Sequence, residues 1–364
     1  MSVPILEVRG LKVSRGGVPV LDISELTVQA GEFLSLIGPN GTGKSTLLLG
    51  LAGLVKRNAG EIRFHGRAIT NGSDMLEYRR HLAMVFQEPL LFDATVYDNV
   101  ASGLKIRGMR RSHIRPLVEE HLELFGVAHL SSRSARKISG GEAQRTSLAR
   151  AFATNPELVL LDEPFVSLDP PTREAIIDDL GRVMQTRRTT VVMATHDRMD
   201  ALRMSNRIAF MEGGGIVQVG PPSEVMHQPV NQTVAAFVGI ETMLEGEVRD
   251  SSAGVLVVDI NGRSIAAAGS FTPGERVMCL VRPEHVMIFP AGSSTESSAR
   301  NRFTGTVRSV QSFGLIHRLE IDCGFLLIAH VTSLAMEDLH LKQGMTVNAA
   351  FKATSVHVIR SSHS

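Results

Sequence analysis

Residues Gly38-Pro39-Asn40-Gly41-Thr42-Gly43-Lys44-Ser45-Thr46 decide how this chain is read. They match G-x-x-x-x-G-K-[ST], the glycine-rich loop that wraps nucleotide phosphates. Glycine lets the backbone turn sharply, so that successive N–H groups converge on an anion. In that pattern Lys44 reaches the terminal phosphates and Ser45 holds Mg²⁺. The run before the loop, Phe33 to Ile37, reads as a buried strand. The run after it, Ser45 to Leu54, reads as an apolar helix whose N-terminus faces the anion. An ordinary strand–turn–helix is the competing reading, and the presence of both flanking elements favours the nucleotide site.

Further along, other apolar runs end in polar clusters. Leu158 to Leu161 is continuously apolar, as a parallel strand covered on both faces would be. Asp162 and Glu163 follow it. Ligands of open α/β sheets sit beyond the carboxyl ends of the strands, where these carboxylates fall. Adjacent carboxylates repel unless a cation or a proton divides their roles. Asp162 facing Mg²⁺ and Glu163 polarising an attacking water would be such a division. An acidic turn capping the next helix is the alternative. Thr189 to Ala194 is a second apolar run, followed by Thr195-His196-Asp197, and Leu82 to Phe86 precedes Gln87. Ser139-Gly140-Gly141-Glu142 is S-x-x-E, a capping box. Ser139 would cap a helix while Glu142 folds back to the cap's own N–H. That leaves the Gly140 and Gly141 amides free to meet a phosphate.

Ile138 to Arg145 resembles the signature sequence of ABC-transporter ATPases. Leu158 to Pro164 resembles their Walker B strand, Ser167-Leu168-Asp169 their D-loop, Thr195-His196-Asp197 their switch-histidine loop and Gln87 their Q-loop. The elements occur in the family's order over residues 1–240. The resemblance implies an α/β P-loop NTPase with a helical subdomain near residues 88–150, using ATP and Mg²⁺. It implies that Gly38 through Thr46 hold the phosphates and that Ser45, Gln87 and Asp162 hold the metal. It implies that Glu163 is the base, with His196 on the γ-phosphate. Ser139, Gly140, Gly141, Glu142 and Asp169 would meet ATP held by the opposite subunit of a homodimer. The family commonly carries Gln where this chain has Glu142. It also places an aromatic ring upstream of the P-loop for the adenine. Lys12 to Gly17 has none, and Arg15 falls nearest; a guanidinium plane can stack on a base.

Composition bounds the rest. The chain has 364 residues, net charge +1, two cysteines (Cys279 and Cys323), no Trp and 5% aromatic residues. That length accommodates two domains. The charge implies no strong polyanion affinity. Two separated cysteines make neither a metal cluster nor a disulfide framework. So few aromatics exclude a stacking platform for single-stranded nucleic acid. Met1 to Gly10 carries Glu7 and Arg9 and is no signal peptide. The apolar runs fall short of the ~20 residues that span a bilayer. An ATPase of this kind would sit at the cytoplasmic face of the membrane on a separate permease, served by a substrate-binding protein. The apolar Leu90, Leu91 and Phe92 after Gln87 suit the groove that takes a permease helix; core of the helical subdomain is the other reading.

Residues 241–364 read as short strands separated by turns, suggesting a small β-barrel. Strands are expected over 254–260, 275–281, 285–289, 303–310, 315–321, 325–331 and 346–359. There is an internal repeat. Leu244-Glu245-Gly246-Glu247-Val248 echoes Phe303-Thr304-Gly305-Thr306-Val307, and Gly274, Val277, Val281 and Arg282 echo Gly344, Val347, Phe351 and Lys352. Two related half-barrels follow. This tail resembles the transport-associated OB-type (TOBE/MOP-like) domain of type I importers. Ser298 to Asn301 and Phe351 to Ile359 resemble its molybdate/tungstate-binding variant. The resemblance implies a regulatory oxyanion site at Ser298, Arg300, Lys352 and Thr354, chemistry that suits a tetrahedral dianion. It implies an import ATPase for tungstate or molybdate, with sulfate, ferric iron and sugars as alternatives. A DNA-repair or translation ATPase would normally have two ATPase halves or DNA-associated insertions, and this chain has one P-loop; a molybdate storage or sensor protein would explain the tail and not the ATPase motifs.

Overall fold

A computed structural model describes residues 4–70, 72–166, 168–187, 189–292 and 298–361. Two compact units divide between Val225 and Met226. The first contains, in order, β1 (Pro4–Arg15), β2 (Val18–Gln29), β3 (Phe33–Ile37), α1 (Lys44–Leu51), β4 (Ala59–Phe64), β5 (Arg67–Ala68), α2 (Ser73–Arg80), β6 (Leu82–Val85), α3 (Val96–Ile106), α4 (Arg111–Leu124), α5 (Gly140–Ala153), β7 (Leu158–Asp162), α6 (Pro170–Arg187), β8 (Thr190–Ala194), α7 (Arg198–Met204), β9 (Arg207–Glu212), β10 (Gly215–Gly220) and α8 (Pro222–His227), which straddles the boundary.

The apolar runs become a six-stranded sheet in the order β10-β9-β3-β8-β7-β6, parallel except for its edge strand β10. Strands β3, β7 and β8 are buried along their whole length. Alternation along each strand sends side chains to opposite faces. Val159, Leu161, Val191 and Met193 join one core with residues of α3, α4, α5 and α6. Leu158, Leu160, Val192 and Ala194 join a second core with β1, β2 and α1. The antiparallel sheet β2-β1-β4-β5, with α1, thus covers one face, and α3, α4, α5 and α6 cover the other. No helix among the described residues is long and apolar enough to cross a membrane.

The second unit contains α9 (Gln232–Phe237), β11 (Thr242–Ser252), β12 (Val255–Ile260), β13 (Arg263–Ala268), β14 (Arg276–Val281), β15 (Met287–Pro290), β16 (Asn301–Phe313), β17 (Ile316–Asp322), β18 (Leu326–Thr332), α10 (Ser333–Asp338), β19 (Thr346–Phe351) and β20 (Val356–Arg360). Its strands form two five-stranded antiparallel sheets, β13-β12-β11-β14-β20 and β15-β19-β16-β17-β18, around one apolar core. The internal repeat is visible in this order. Strands β11 to β14 match β16 to β19, but each half's last strand joins the other half's sheet. Thus β15 pairs with β19, and β20 with β14. Three expectations change here. The single strand expected over 346–359 is two strands, broken by a 3-10 turn at Ala353–Ser355. Two strands absent from the sequence expectation, β11 at the centre of the first sheet and β13 at its edge, complete that sheet.

The repeated glycines mark positions where the neighbouring strand leaves no room for a side chain. A Cβ on Gly246 would lie 2.5 Å from the Asp259 carbonyl oxygen, and one on Gly305 would lie 2.6 Å from that of Asp322. Backbone cannot yield as a flexible side chain can, so strain follows. Gly246→Ala and Gly305→Ala should each destabilise the C-terminal unit by about 1–3 kcal/mol, the range for overpacking. Chemical unfolding of the full chain checks this, and an unchanged midpoint for both variants would contradict it.

Candidate nucleotide site

Four neighbouring strands deliver the site. β3 ends at Ile37 and runs into the glycine loop, β8 leads to His196, β7 ends in Asp162, and β6 leads to Gln87. Since β3, β8, β7 and β6 are consecutive and parallel, these groups lie along one edge of the sheet. The loop itself turns at Gly38, Gly41 and Gly43, with φ of 144°, 83° and 96°. Such angles are open to glycine and costly for other residues. A Cβ on Gly38 would also run into the Met211 carbonyl. Asn40 and Gly41 are exposed at the tip, Thr42 hydrogen-bonds back to the Pro39 carbonyl at 3.0 Å, and Thr46 is buried in α1.

Lys44 is buried, and its Nζ donates to the carbonyl oxygens of Gly38 at 2.8 Å and Pro39 at 3.0 Å. Burial lowers its pKa, while Glu163 and Asp162 pull it back up. Ser45 donates its hydroxyl to Asp162 Oδ1 at 2.8 Å. Burial raises the Asp162 pKa and the adjacent Glu163 adds to the rise; Ser45 and Lys44 oppose it. Glu163 takes a left-handed backbone, φ 45°, and its N–H donates to the Ala194 carbonyl at 2.9 Å. That turn brings its carboxylate to His196. Glu163 Oε2 and His196 Nδ1 are 2.9 Å apart. Gln87 is exposed just beyond β6.

Ser139 caps α5 as the sequence pattern requires. Glu142 N–H donates to Ser139 Oγ at 3.3 Å, and Ser139 N–H donates to Glu142 Oε2 at 2.7 Å. These bonds hold the Glu142 carboxyl below its usual range. Gly140 has open space around it, whereas Gly141 packs on Thr172 of α6. Asp169 is exposed and accepts the Thr172 N–H at 3.1 Å. Ser167 of the same loop lies outside the described residues.

Arg15 is exposed at the end of β1, beside the Gly16-Gly17 turn. Its partner in register, Val18, is 64% exposed. Val20 and Leu21, a little further along β2, sit against Gly43 of the loop. The sequence reading fixed on Arg15 and passed over Val18, whose exposed apolar face lies on the same hairpin. An apolar β-branched residue just after a Gly-Gly turn was the available signal.

Leu90 and Phe92 are exposed and Leu91 is half-buried. The segment is nevertheless fixed. Buried Asn99 bonds both the N–H and the carbonyl of Phe92, and Arg150 donates to the Leu90 carbonyl at 3.0 Å and lies over the Phe92 ring.

In the second unit, Arg300 and Lys352 flank the paired residues Asn301 and Phe351, where β16 begins and β19 ends. Ser298, Arg300, Lys352 and Thr354 are all exposed, and among the described residues neither cation has an ion pair. Arg282, the repeat counterpart of Lys352, is engaged instead: its guanidinium donates to the carbonyls of Met226 and Val238 and reaches Glu284.

A parallel sheet with a P-loop on β3, paired carboxylates on β7 and a glycine-rich helix cap on α5 defines an ABC-class ATPase. The chain belongs to the ATP-binding proteins of ABC importers and hydrolyses ATP. The ABC transporter family model matches residues 21–166 and the TOBE domain model residues 297–358. Over 339 residues the chain is 34% identical to the molybdate/tungstate import ATP-binding protein WtpC of Pyrococcus horikoshii, covering 91% of this chain and 93% of that protein. Over 292 residues it is 34% identical to the spermidine/putrescine import ATP-binding protein PotA of Legionella pneumophila, covering 79% of each. Among solved structures, cbiO1 of Clostridium perfringens, part of the ABC transporter complex cbiONQ, is 29% identical with a TM-score of 0.58. That match covers 62% of this chain and 91% of cbiO1.

Proposed function

We propose that this ATPase powers import of an oxyanion, tungstate or molybdate, as one of two copies seated on a membrane permease at its cytoplasmic face. The relationship to WtpC over nearly the whole of both chains carries this reading. The exposed Arg300 and Lys352 at adjoining strand ends, without an ion pair among the described residues, suit a dianion. A polyamine importer is the second reading, because PotA proteins are similar at the same identity. Uptake of labelled tungstate against labelled spermidine by the reconstituted transporter separates the two.

In the hydrolytic site, Gly38 through Thr46 take the phosphates and Lys44 exchanges its loop carbonyls for phosphate oxygens. Ser45 and Asp162, with Gln87, suit Mg²⁺. Ser45 already meets Asp162 at 2.8 Å, and burial with the adjacent Glu163 raises the Asp162 pKa. When bound, the ion neutralises charge on the β- and γ-phosphates. Glu163 accepts the proton of the attacking water and His196 orients Glu163. Ser139, the Gly140 and Gly141 amides and Asp169 face the nucleotide of the second copy. Arg15 and Val18 flank the adenine. Leu90, Leu91 and Phe92 dock the permease.

Glu163→Gln keeps shape and hydrogen bonding but removes the base. ATP turnover should fall at least about a hundredfold, the lower bound for general-base catalysis, with nucleotide binding retained. Stable ATP-bound dimers should accumulate on size exclusion. Wild-type turnover by this variant would contradict the assignment of the base.

Oxyanion at the tail would damp import by favouring separated ATPase domains. Site-to-site coupling is typically about 1–3 kcal/mol, roughly a five- to hundredfold shift. Tungstate on the ATPase side of transporter vesicles should inhibit uptake, and Arg300→Ala with Lys352→Ala should relieve the inhibition. Absent inhibition, or inhibition surviving both substitutions, would leave the tail without this role.

A further inference from the structure

His196 is the least secured member of the hydrolytic cluster. Its side chain is 48% exposed, so packing alone does not fix the imidazole ring against Glu163. What is fixed is the peptide on either side. Thr195 N–H donates to the Leu36 carbonyl at 3.0 Å, which ties the loop to the P-loop strand. Asp197 N–H donates to Thr195 Oγ1 at 3.0 Å. The Asp197 carboxylate is then divided. Oδ1 caps α7, accepting the N–H groups of Met199 at 2.7 Å and Asp200 at 3.3 Å, while Oδ2 accepts from the guanidinium of Arg173.

Arg173 comes from another element, the first turn of α6. Its Nη2 also donates to Asp200 Oδ1 at 2.5 Å, and its Nε donates to the same oxygen at 3.1 Å. Asp200 is 3% exposed. A carboxylate buried to that degree depends on its partner, and a planar guanidinium fork spanning two carboxylates sets both distance and angle. The neighbouring cation Arg203 acts on Asp200 only through its charge, since its hydrogen bonds go to Glu174.

The other end of Arg173 leads back to the loop at Asp169. Arg173 N–H donates to the Asp169 carbonyl at 2.9 Å, and Thr172 N–H donates to Asp169 Oδ1. Thr172 is also the residue against which Gly141 packs, so closely that a Cβ there would lie 2.9 Å from the Thr172 methyl. A contiguous physical path therefore runs from the glycine cap of α5, through the first turn of α6, to Asp197, His196 and Glu163.

We propose that Arg173 is a positioning residue for ATP hydrolysis: it holds Asp197, and through it His196, in register with Glu163, and it links that register to the α5 cap by way of the first turn of α6. The proposal rests on Glu163 as the base. A sub-ångström shift of the imidazole is the failure it prevents, and misplacement on the ångström scale can lower a rate about a hundredfold.

The test uses full-length protein with Arg173→Lys and Arg173→Ala. Lysine keeps the charge that Asp200 requires but loses the fork; if the alanine variant fails to fold, the lysine variant decides. The expected kcat for ATP falls roughly ten- to hundredfold while KM stays within about twofold, because the phosphate-binding loop is untouched. In ¹³C-histidine spectra, assigned with His196→Gln, the His196 ring resonance should move while those of His65 and His81 stay. A merely structural Arg173 would shift thermal stability and leave the His196 resonance in place. Wild-type kcat, an unmoved His196 resonance, or a loss confined to KM would overturn the proposal. If Glu163→Gln is itself active, the base assignment fails; if Glu163→Gln is inactive and Arg173→Lys behaves as wild type, only the positioning role fails.

Discussion

Two adjacent carboxylates at the end of a fully buried strand are the constraint around which the ATPase unit is arranged. Asp162 and Glu163 cannot share a direction without mutual repulsion at short range. The chain separates them with one backbone turn. Asp162 finishes β7 and meets Ser45, and Glu163 takes φ 45° and meets His196. A left-handed conformation costs a non-glycine residue about 1–2 kcal/mol. Its amide bond to the Ala194 carbonyl helps to hold it there. The order of strands does the rest, since β3 and β8 bring Lys44 and His196 to the same sheet edge.

Much of this was legible because each site group follows an apolar run. Lys44, Asp162, Glu163 and His196 all stand just beyond stretches that could only be buried strands, so the sheet edge could be inferred before its order was known. The Ser139–Glu142 capping box was legible because four residues specify it locally. Arg173 was not. It lies in a helix, its partners are over twenty residues away, and only the packing of α6 on the start of α7 brings them together. Val18 carried a local signal, a β-branched residue after Gly16-Gly17, but its exposure shows only in the folded hairpin.

In the C-terminal unit the repeat exposed the duplication but could not reveal the exchange of β15 and β20. Repeated strands fix which residues face the core, and pairing at an edge depends on what reaches it. The break at Lys352 was readable from its counterpart, where Arg282 precedes Pro283, a residue that cannot donate to a ladder. The two halves then diverge in use. Arg282 is engaged with nearby carbonyls, and Lys352 remains exposed beside Arg300. That asymmetry supports reading one half as scaffold and the other as a proposed anion site.

At the strand ends, the glycine loop itself holds the cation that would meet a nucleotide's phosphates. Lys44 now donates to the Gly38 and Pro39 carbonyls, partners it would exchange for phosphate. Calorimetric titration of ATP with Mg²⁺ into wild type and Lys44→Ala tests this most directly. Removing a charge-assisted contact of about 1.5–3 kcal/mol should weaken binding by at least about tenfold, with the thermal unfolding profile retained. Equal affinity in a folded Lys44→Ala protein would contradict the account.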